Sequence, residues 1–320
     1  MKIGIVTDSL ANLSVDELFG LCARQGIEEV EFAIGNWSNS PHIDASALLD
    51  SQQQRRELQA RLDDHGLRIS AFNANGNQLH PTDGKRQDEV VRQAIRLAEH
   101  FGLSKVNLMS GLPAGAAGDS TPNWITNSWP PETQRTLDYQ WNQVAIPYWQ
   151  ELVKYANEHG VQQICIEPHG NQLVYNMPTF LRLHDAVGDT VGLNFDPSHQ
   201  FWMGGDPLEV VKLHASHIYH VHAKDTYLHT GNLAMNTCLD HLPMEQFQDR
   251  SWSYVTLGYG HGESWWREFC YWLQAGGYQD GVLSIEHEDI NLSRQEGVIR
   301  SVELLRQCMP TETPDYELPS

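Results

Sequence analysis

Residues 164–171 read ICIEPHGN, residues 192–199 read GLNFDPSH, residues 220–225 read HVHAKD, and residues 283–289 read LSIEHED. Each motif is a short apolar segment with a potential metal ligand at or near its end: Glu167, Asp196, His222 and Glu286. Because side chains alternate along a strand, the ligand-bearing face is mixed or polar and the opposite face is apolar. This pattern predicts parallel strands whose outer faces pack on helices and whose carboxyl ends build a site.

The spacing of the four ligands supports the same arrangement. Glu167 and Asp196 are 29 residues apart (196 − 167), and Asp196 and His222 are 26 apart (222 − 196). A (β/α)₈ barrel of about 250 residues uses about 31 residues for each strand–helix unit. The 64 residues from His222 to Glu286 (286 − 222) match one unit plus an inserted loop of similar length.

Strand-like and helix-like segments alternate along the whole chain. The predicted strands are Ile3–Thr7, Glu29–Ile34, Leu67–Asn73, Lys105–Met109 and four segments ending at Glu167, Asp196, Ala223 and Glu286. The predicted helices are Ser14–Gln25, Ser51–His65, Gln87–His100, Leu137–His159 with a kink at Pro147, one from Pro178, one from Pro207, Trp265–Ala275 and Ser293–Cys308. The sequence therefore predicts a single α/β domain, a (β/α)₈ TIM barrel over residues 1–309, with a loose tail at 310–320.

Two stretches do not fit a short loop: Ser110–Thr136 and Thr226–His261. Both follow predicted strands, so both emerge at the C-terminal rim of the barrel. Their glycines and aromatic side chains suit an active-site lid that binds a polyol. The alternative interpretation is that they are structural loops or contacts between subunits.

The composition narrows the class of partner. The chain has 320 residues and a formal net charge of −20, which argues against nucleic acid and anionic membranes. Its five cysteines are odd in number and far apart, which is typical of a thiol-reduced, cytoplasmic protein. The amino terminus, MKIGIVTDSL, resembles no signal peptide, and no apolar run is long enough to predict a transmembrane helix.

Taken together, the four motifs and the run GYGHG, followed by Trp265, resemble the xylose-isomerase-like barrels of the sugar phosphate isomerase/epimerase superfamily. The superfamily includes ketose 3-epimerases, inosose dehydratases and C-glycoside deglycosidases. The resemblance implies one divalent metal held by Glu167, Asp196, His222 and Glu286. It also implies Glu167 and Glu286 as the acid/base pair, in no assigned order, and His199 as a substrate contact.

The chemistry of this ligand set agrees with a metal site. Three carboxylates and one imidazole favour Mn²⁺, with Mg²⁺ or Co²⁺ as alternatives. Three negative charges in one pocket would repel one another without a cation. A bound cation would acidify the C–H beside a sugar carbonyl, so that one carboxylate could take the proton and a second acid could return it.

Further side chains near the motifs are candidate substrate contacts: His199, His169, Lys224 and His261. The histidines could instead be ordinary rim residues. Lys224 could form a local ion pair with Asp225 or act on the substrate as an electrophile. His220 lies on the same predicted face as His222, where a structural hydrogen bond is expected.

Two positions depart from the ketose 3-epimerases that the motifs resemble. Leu173 and Leu228 stand where those enzymes contact the sugar through Glu and Arg. The departures point to a larger or differently oxidised carbohydrate, such as a keto-glycoside, an inosose or a sugar acid.

We therefore predict a metal-dependent sugar isomerase or epimerase that works through an enediolate. The alternative is a lyase of the dehydratase or C-glycoside deglycosidase type, in the latter case with a small partner subunit. The charge argues against a DNA-repair nuclease, and the acid/base pair argues against a sugar-binding protein without catalysis. A homo-oligomer is expected from the resemblance.

Overall fold

Eight parallel strands close into a barrel in the computed structural model, which describes residues 1–312 and 314–316. The barrel order is β1-β10-β7-β6-β5-β4-β3-β2, and two further strands, β8 and β9, form an antiparallel hairpin on the rim. The strands are β1 (Lys2–Val6), β2 (Glu29–Ala33), β3 (Arg68–Asn73), β4 (Lys105–Leu108), β5 (Gln163–Ile166), β6 (Val191–Phe195), β7 (Ile218–Ala223), β8 (Asp225–Leu228), β9 (Trp252–Val255) and β10 (Val282–Ile285). The ends predicted for the barrel strands differ from these by at most one residue, and the predicted (β/α)₈ fold is confirmed.

Helices follow the strands and surround the barrel. They are α1 (Val15–Gln25), α2 (Ala45–Asp50), α3 (Gln52–Asp64), α4 (Gly84–Phe101), α5 (Glu132–Asp138), α6 (Ile146–Glu158), α7 (Met177–Val187), α8 (Pro197–Trp202), α9 (Pro207–His214), α10 (Thr230–Asn236), α11 (Glu263–Ala275) and α12 (Arg294–Cys308). α1 begins with a capping box, since Ser14 and Glu17 each accept a hydrogen bond from the other's backbone N–H.

Alternation along the strands separates two environments. Outward-facing residues such as Phe32 and Phe72 stack with ring centroids 6.4 Å apart and join the apolar layer beneath the helices. The barrel interior holds buried polar side chains instead, among them Glu31, Asn73 and His220. Burying a polar or charged group costs free energy unless hydrogen bonds or an opposite charge compensate it, so each of these side chains needs a partner inside the barrel.

Three details differ from the prediction. The helix predicted over Leu137–His159 begins earlier and is three pieces, because a π-helical turn (Tyr139–Ala145) joins α5 to α6 just before Pro147. Proline has no N–H to donate, which favours such an irregularity. The stretch Thr226–His261 is not a structureless loop, since it contains α10 and pairs β8 with β9. The motif NFDPSH also continues into a short helix, α8, that the sequence analysis missed.

The remaining expectations concern the ends and the thiols. Residues 310–312 and 314–316 form no helix or strand, and the rest of the predicted tail lies outside the described residues. All five cysteines are free thiols. No helix in the described part of the chain combines the length and apolar character needed to span a membrane.

Candidate functional site

The four predicted ligands meet at the C-terminal end of the barrel. Glu167 follows β5, Asp196 follows β6, His222 lies within β7, and Glu286 follows β10. One possible ligand atom from each residue lies within 4.8 Å of those of the other three. All four are buried except Glu286, whose side chain is 20% exposed. The register of neighbouring parallel strands therefore brings together residues that are up to 119 positions apart (286 − 167).

The imidazole of His222 has two different sides. Its Nδ1 lies 3.4 Å from Glu167 Oε2 and 3.4 Å from Glu286 Oε2. Its Nε2 lies 2.9 Å from Oε1 of Glu31, a carboxylate deeper in the barrel. Burial opposes the charged form, but Glu31 and Glu286 raise the pKa of His222 well above its ordinary value. Nδ1 is thus the nitrogen that faces Glu167 and Glu286, and Nε2 is the one that faces Glu31.

Lys224 places an ammonium group among the carboxylates. Its Nζ lies 2.7 Å from Glu286 Oε2, 3.1 Å from Glu288 Oε2 and 3.2 Å from Asp196 Oδ2. These charges outweigh burial and hold the pKa of Lys224 well above its ordinary value. The ion pair with Asp225 considered from the sequence is not formed. Asp225 points the other way and accepts hydrogen bonds from the backbone N–H groups of Gly258, Gly260 and His261.

His199 contacts two of the proposed ligands from one side. Its Nε2 lies 2.8 Å from Glu167 Oε1 and 3.3 Å from Asp196 Oδ2, and its Nδ1 lies 3.0 Å from the Tyr254 hydroxyl. Although burial acts against it, the Asp196 charge raises the pKa of His199 to about 9. Burial likewise acts against the charge on Asp196, but Lys224 and His199 lower the pKa of Asp196 to about 2.

A cavity of about 1150 Å³ opens from this cluster to the rim. Glu167, Glu286, Lys224 and Tyr254 line its inner part, together with His169. Burial and the neighbouring His199 lower the pKa of His169 to about 4, so its ring is neutral at pH 7. The mouth includes the partly exposed apolar side chains of Trp37, Met244 and Ile290.

His261, which the sequence predicts as a substrate contact, does not line this cavity. Its ring stacks on Phe201 with centroids 3.6 Å apart, and its Nδ1 lies 2.8 Å from Asp225 Oδ1. The run GYGHG packs against Asp225, and this contact directs the His261 ring towards Phe201 within the rim. His261 is therefore part of the structure that supports the site.

Four residues in the site were not singled out from the sequence. Asn75 donates a hydrogen bond of 2.8 Å from Nδ2 to Glu167 Oε2, Tyr254 contacts His199, Glu288 pairs with Lys224, and Glu31 contacts His222. Only Glu31 had a readable signal, because a carboxylate between the apolar residues Val30 and Phe32 of a predicted strand is unusual. The others depend on loops whose paths the pattern does not specify.

The cluster has the properties of a cation site. It combines oxygen atoms from three carboxylates with one imidazole nitrogen, a donor set that suits hard and borderline divalent metals. Asp196 Oδ2 is buried and accepts no hydrogen bond, although Lys224 Nζ and His199 Nε2 lie 3.2 and 3.3 Å away as charged neighbours. The residues present therefore fit a divalent metal.

Comparisons with known proteins agree with this architecture. The chain is 42% identical over 312 residues to the uncharacterized protein YfiH of Bacillus subtilis, an alignment that covers 97% of this chain and 99% of YfiH. Among solved structures, the probable 3-DHS dehydratase AsbF of Bacillus anthracis superposes with a TM-score of 0.66 at 18% identity, covering 96% of this chain and 99% of AsbF.

Two other solved structures have the same fold. The IOLI protein, solved with a bound zinc atom, superposes with a TM-score of 0.64 at 18% identity over 97% of this chain and 99% of that one. A D-tagatose 3-epimerase-like protein superposes with a TM-score of 0.61 at 20% identity over 96% and 99%. At these identities the likeness establishes the fold alone. The sequence model of the xylose isomerase-like TIM barrels matches residues 19–308, and the chain belongs to that family.

Proposed function

We propose that this protein is a divalent-metal-dependent carbohydrate isomerase or epimerase that moves a proton next to a carbonyl. The observation that carries the proposal is the convergence of Glu167, Asp196, His222 and Glu286, with ligand atoms within 4.8 Å of one another. Two of them, Glu167 and Glu286, line a large cavity. Sugar isomerases, epimerases and dehydratases share this fold, which supports an enzymatic role. Mn²⁺ suits the oxygen-rich donor set best, with Mg²⁺ or Co²⁺ as alternatives, and the IOLI structure shows that a related barrel takes zinc.

The four clustered residues would hold the metal. When bound, the metal would polarise a ketone and its neighbouring hydroxyl and so acidify the C–H between them. Glu167 and Glu286 both line the cavity, so one of them, as a carboxylate, can take the proton and leave an enediolate. The other, as a carboxylic acid, can then deliver its own proton to that intermediate. Hydrogen bonds from Asn75 and His199 hold Glu167 in place, and the ammonium of Lys224 adds positive charge beside Glu286.

The second candidate is a lyase acting on a keto-sugar or keto-glycoside at the same residues. The similarity to AsbF, named as a probable dehydratase, favours it. Elimination starts with the same proton abstraction and differs only in the next bond to break. A C-glycoside deglycosidase would add the requirement for a small partner subunit.

Deuterium wash-in distinguishes these reactions. The Mn²⁺-loaded protein is incubated in D₂O with ketoses, inososes and 3-keto-glucosides, and C–H exchange and products are followed by NMR. Exchange with formation of an isomer supports the epimerase or isomerase. Exchange or consumption with release of water or an aglycone identifies the lyase. A chain that exchanges no substrate on this panel, with fully loaded metal, contradicts the proposed substrate class.

Removal of the metal is expected to lower activity and thermal stability together. A ligand that binds only the native state adds about 2.7 kcal/mol at 100 times its Kd. Differential scanning calorimetry should therefore show a lower Tm after chelation, and adding back Mn²⁺ should restore both properties. An unchanged Tm in protein whose metal content is verified as zero would contradict this coupling.

A further inference from the structure

Glu31 is a buried carboxylate outside the cavity that the proposed reaction does not use. It lies on β2, three strands away from β7 around the barrel, and has no exposed surface. It is not among the residues that line the cavity. A charged group at such a position is costly unless several donors compensate it.

Three side chains supply those donors. Asn73 Nδ2 donates to Glu31 Oε1 at 2.7 Å, and His220 Nε2 lies 2.8 Å from Glu31 Oε2. His222 Nε2 lies 2.9 Å from Oε1 and 3.1 Å from Oε2. Both carboxylate oxygens are thus occupied by groups that reach them from β3 and β7.

These contacts decide which nitrogen of His222 would keep its hydrogen when the ring binds a metal. An ionised carboxylate only accepts hydrogen bonds, so Nε2, which faces Glu31, carries a hydrogen. Nδ1 faces the carboxylates of Glu167 and Glu286 and by the same rule carries a hydrogen until a metal replaces it. The amide of Asn194 lies 3.1 and 3.3 Å from the two ring nitrogens and therefore favours neither. A metal held by Glu167 and Glu286 would take the place of the hydrogen on Nδ1, and the hydrogen bond to Glu31 would keep the other hydrogen on Nε2.

We propose that Glu31 is a positioning residue that fixes the tautomer and orientation of His222, so that Nδ1 is available to the metal. The inference rests on the proposed function, because it supposes a metal at the four clustered residues. Carboxylates placed behind a metal-binding imidazole raise its basicity, and their loss typically weakens metal affinity about 10–100-fold. Glu31 would act in this way from a different strand of the barrel, β2.

The test measures Mn²⁺ affinity of the metal-free full-length protein, by titration calorimetry, in wild type, Glu31→Gln and Glu29→Gln. Glu29 is the matched control, since it lies on the same strand and its carboxylate pairs with Lys2 and Arg68 instead of His222. We expect a Kd about 10–100-fold higher for Glu31→Gln and within about threefold of wild type for Glu29→Gln. Circular dichroism of the metal-free proteins verifies folding.

A second variant and a second readout keep the test decisive. If Glu31→Gln fails to fold, Glu31→Asp takes its place in the test. Aspartate keeps the charge, but its shorter side chain moves the carboxylate away from His222 Nε2, so this variant is also expected to bind Mn²⁺ more weakly. In the Zn²⁺-loaded wild type, ¹⁵N NMR of the histidines should show a solvent-protected Nε2–H on His222. An Nδ1–H signal there would overturn the inference.

The remaining outcomes of the Mn²⁺ titrations separate a failure of this inference from a failure of the proposed function. Wild-type affinity in a folded Glu31→Gln overturns the inference and leaves the proposed function intact. A wild type that binds no metal overturns both. Two ions in the wild type, one of them lost in Glu31→Gln, would make Glu31 a ligand of a second ion with His220 and His222 and so overturn the positioning role.

Discussion

Glu286→Gln and Glu167→Gln are each expected to lower kcat by about 10²–10⁴-fold while preserving the fold, because general acid–base catalysis contributes about that much. Glutamine keeps the size of the side chain and one oxygen, but it cannot take up a proton. Both carboxylates line the cavity, and each lies 3.4 Å from His222 Nδ1. The rates should be compared at saturating Mn²⁺, using the substrate identified by deuterium wash-in, so that weaker metal binding does not account for the loss.

Glu288→Gln is the matched control for these variants. Glu288 also lines the cavity and also pairs with Lys224, but it lies at the edge of the cluster and is not a proposed ligand. It is expected to change kcat only a few-fold. If Glu167→Gln and Glu286→Gln behaved like Glu288→Gln, neither carboxylate would be the acid or base.

Asp225→Ala is expected to have the largest effect on stability. The carboxylate is fully buried, and its Oδ2 accepts the backbone N–H groups of Gly258, Gly260 and His261, while Oδ1 accepts that of Thr226. A buried donor left without a partner costs about 1–3 kcal/mol. Because some of these groups would gain water, we expect a loss of roughly 3–5 kcal/mol in the free energy of unfolding.

Urea unfolding followed by tryptophan fluorescence measures this loss. Asp119→Ala is a suitable control, because Asp119 is an exposed residue in the other rim loop, where a substitution is expected to change stability by less than about 0.5 kcal/mol. Equal unfolding midpoints for Asp225→Ala and wild type would show that the loop is held by other contacts.

The barrel and its ligand cluster were predictable because two periodic signals agree. Alternation within each motif places Glu167 and Asp196 on one face, and the spacing of about one strand–helix unit places them on neighbouring strands. Parallel strands bring their carboxyl ends to the same rim of the barrel, whatever paths the loops between them take. For this reason the four side chains cluster at the end of the barrel that the sequence predicts.

The rim was not predictable by the same reasoning. Strands β8 and β9 are separated by the stretch 229–251, so no short turn signals their pairing. The path of the run GYGHG depends on Gly258, which has a φ of +90°, and on Gly260, where a Cβ would lie 2.2 Å from Thr226 O. Those requirements arise only after Asp225 is in place, so the inward or outward direction of His261 could not be derived from its neighbours in sequence.

Glu31 and Lys224 illustrate a second limit. The residue type and strand of Glu31 were visible, but its contact with His222 crosses the barrel between residues 191 positions apart. Lys224 follows His222 by two residues, yet its direction depends on Glu286 and Glu288 from another strand. Contacts of this kind are set by how the barrel closes, which no local pattern specifies.

The hydrogen bonds between β2 and β7 also bear on how the two halves of the barrel depend on each other. All four proposed ligands belong to the C-terminal half, residues 163–286, whereas Glu31 and Asn73 belong to the N-terminal half. A fragment beginning at β5 would carry every ligand and lack the carboxylate that faces His222. Metal bound in the complete protein would consequently stabilise the contact between the two halves. Amide hydrogen exchange in β2 should therefore slow when the metal binds, although β2 supplies no ligand.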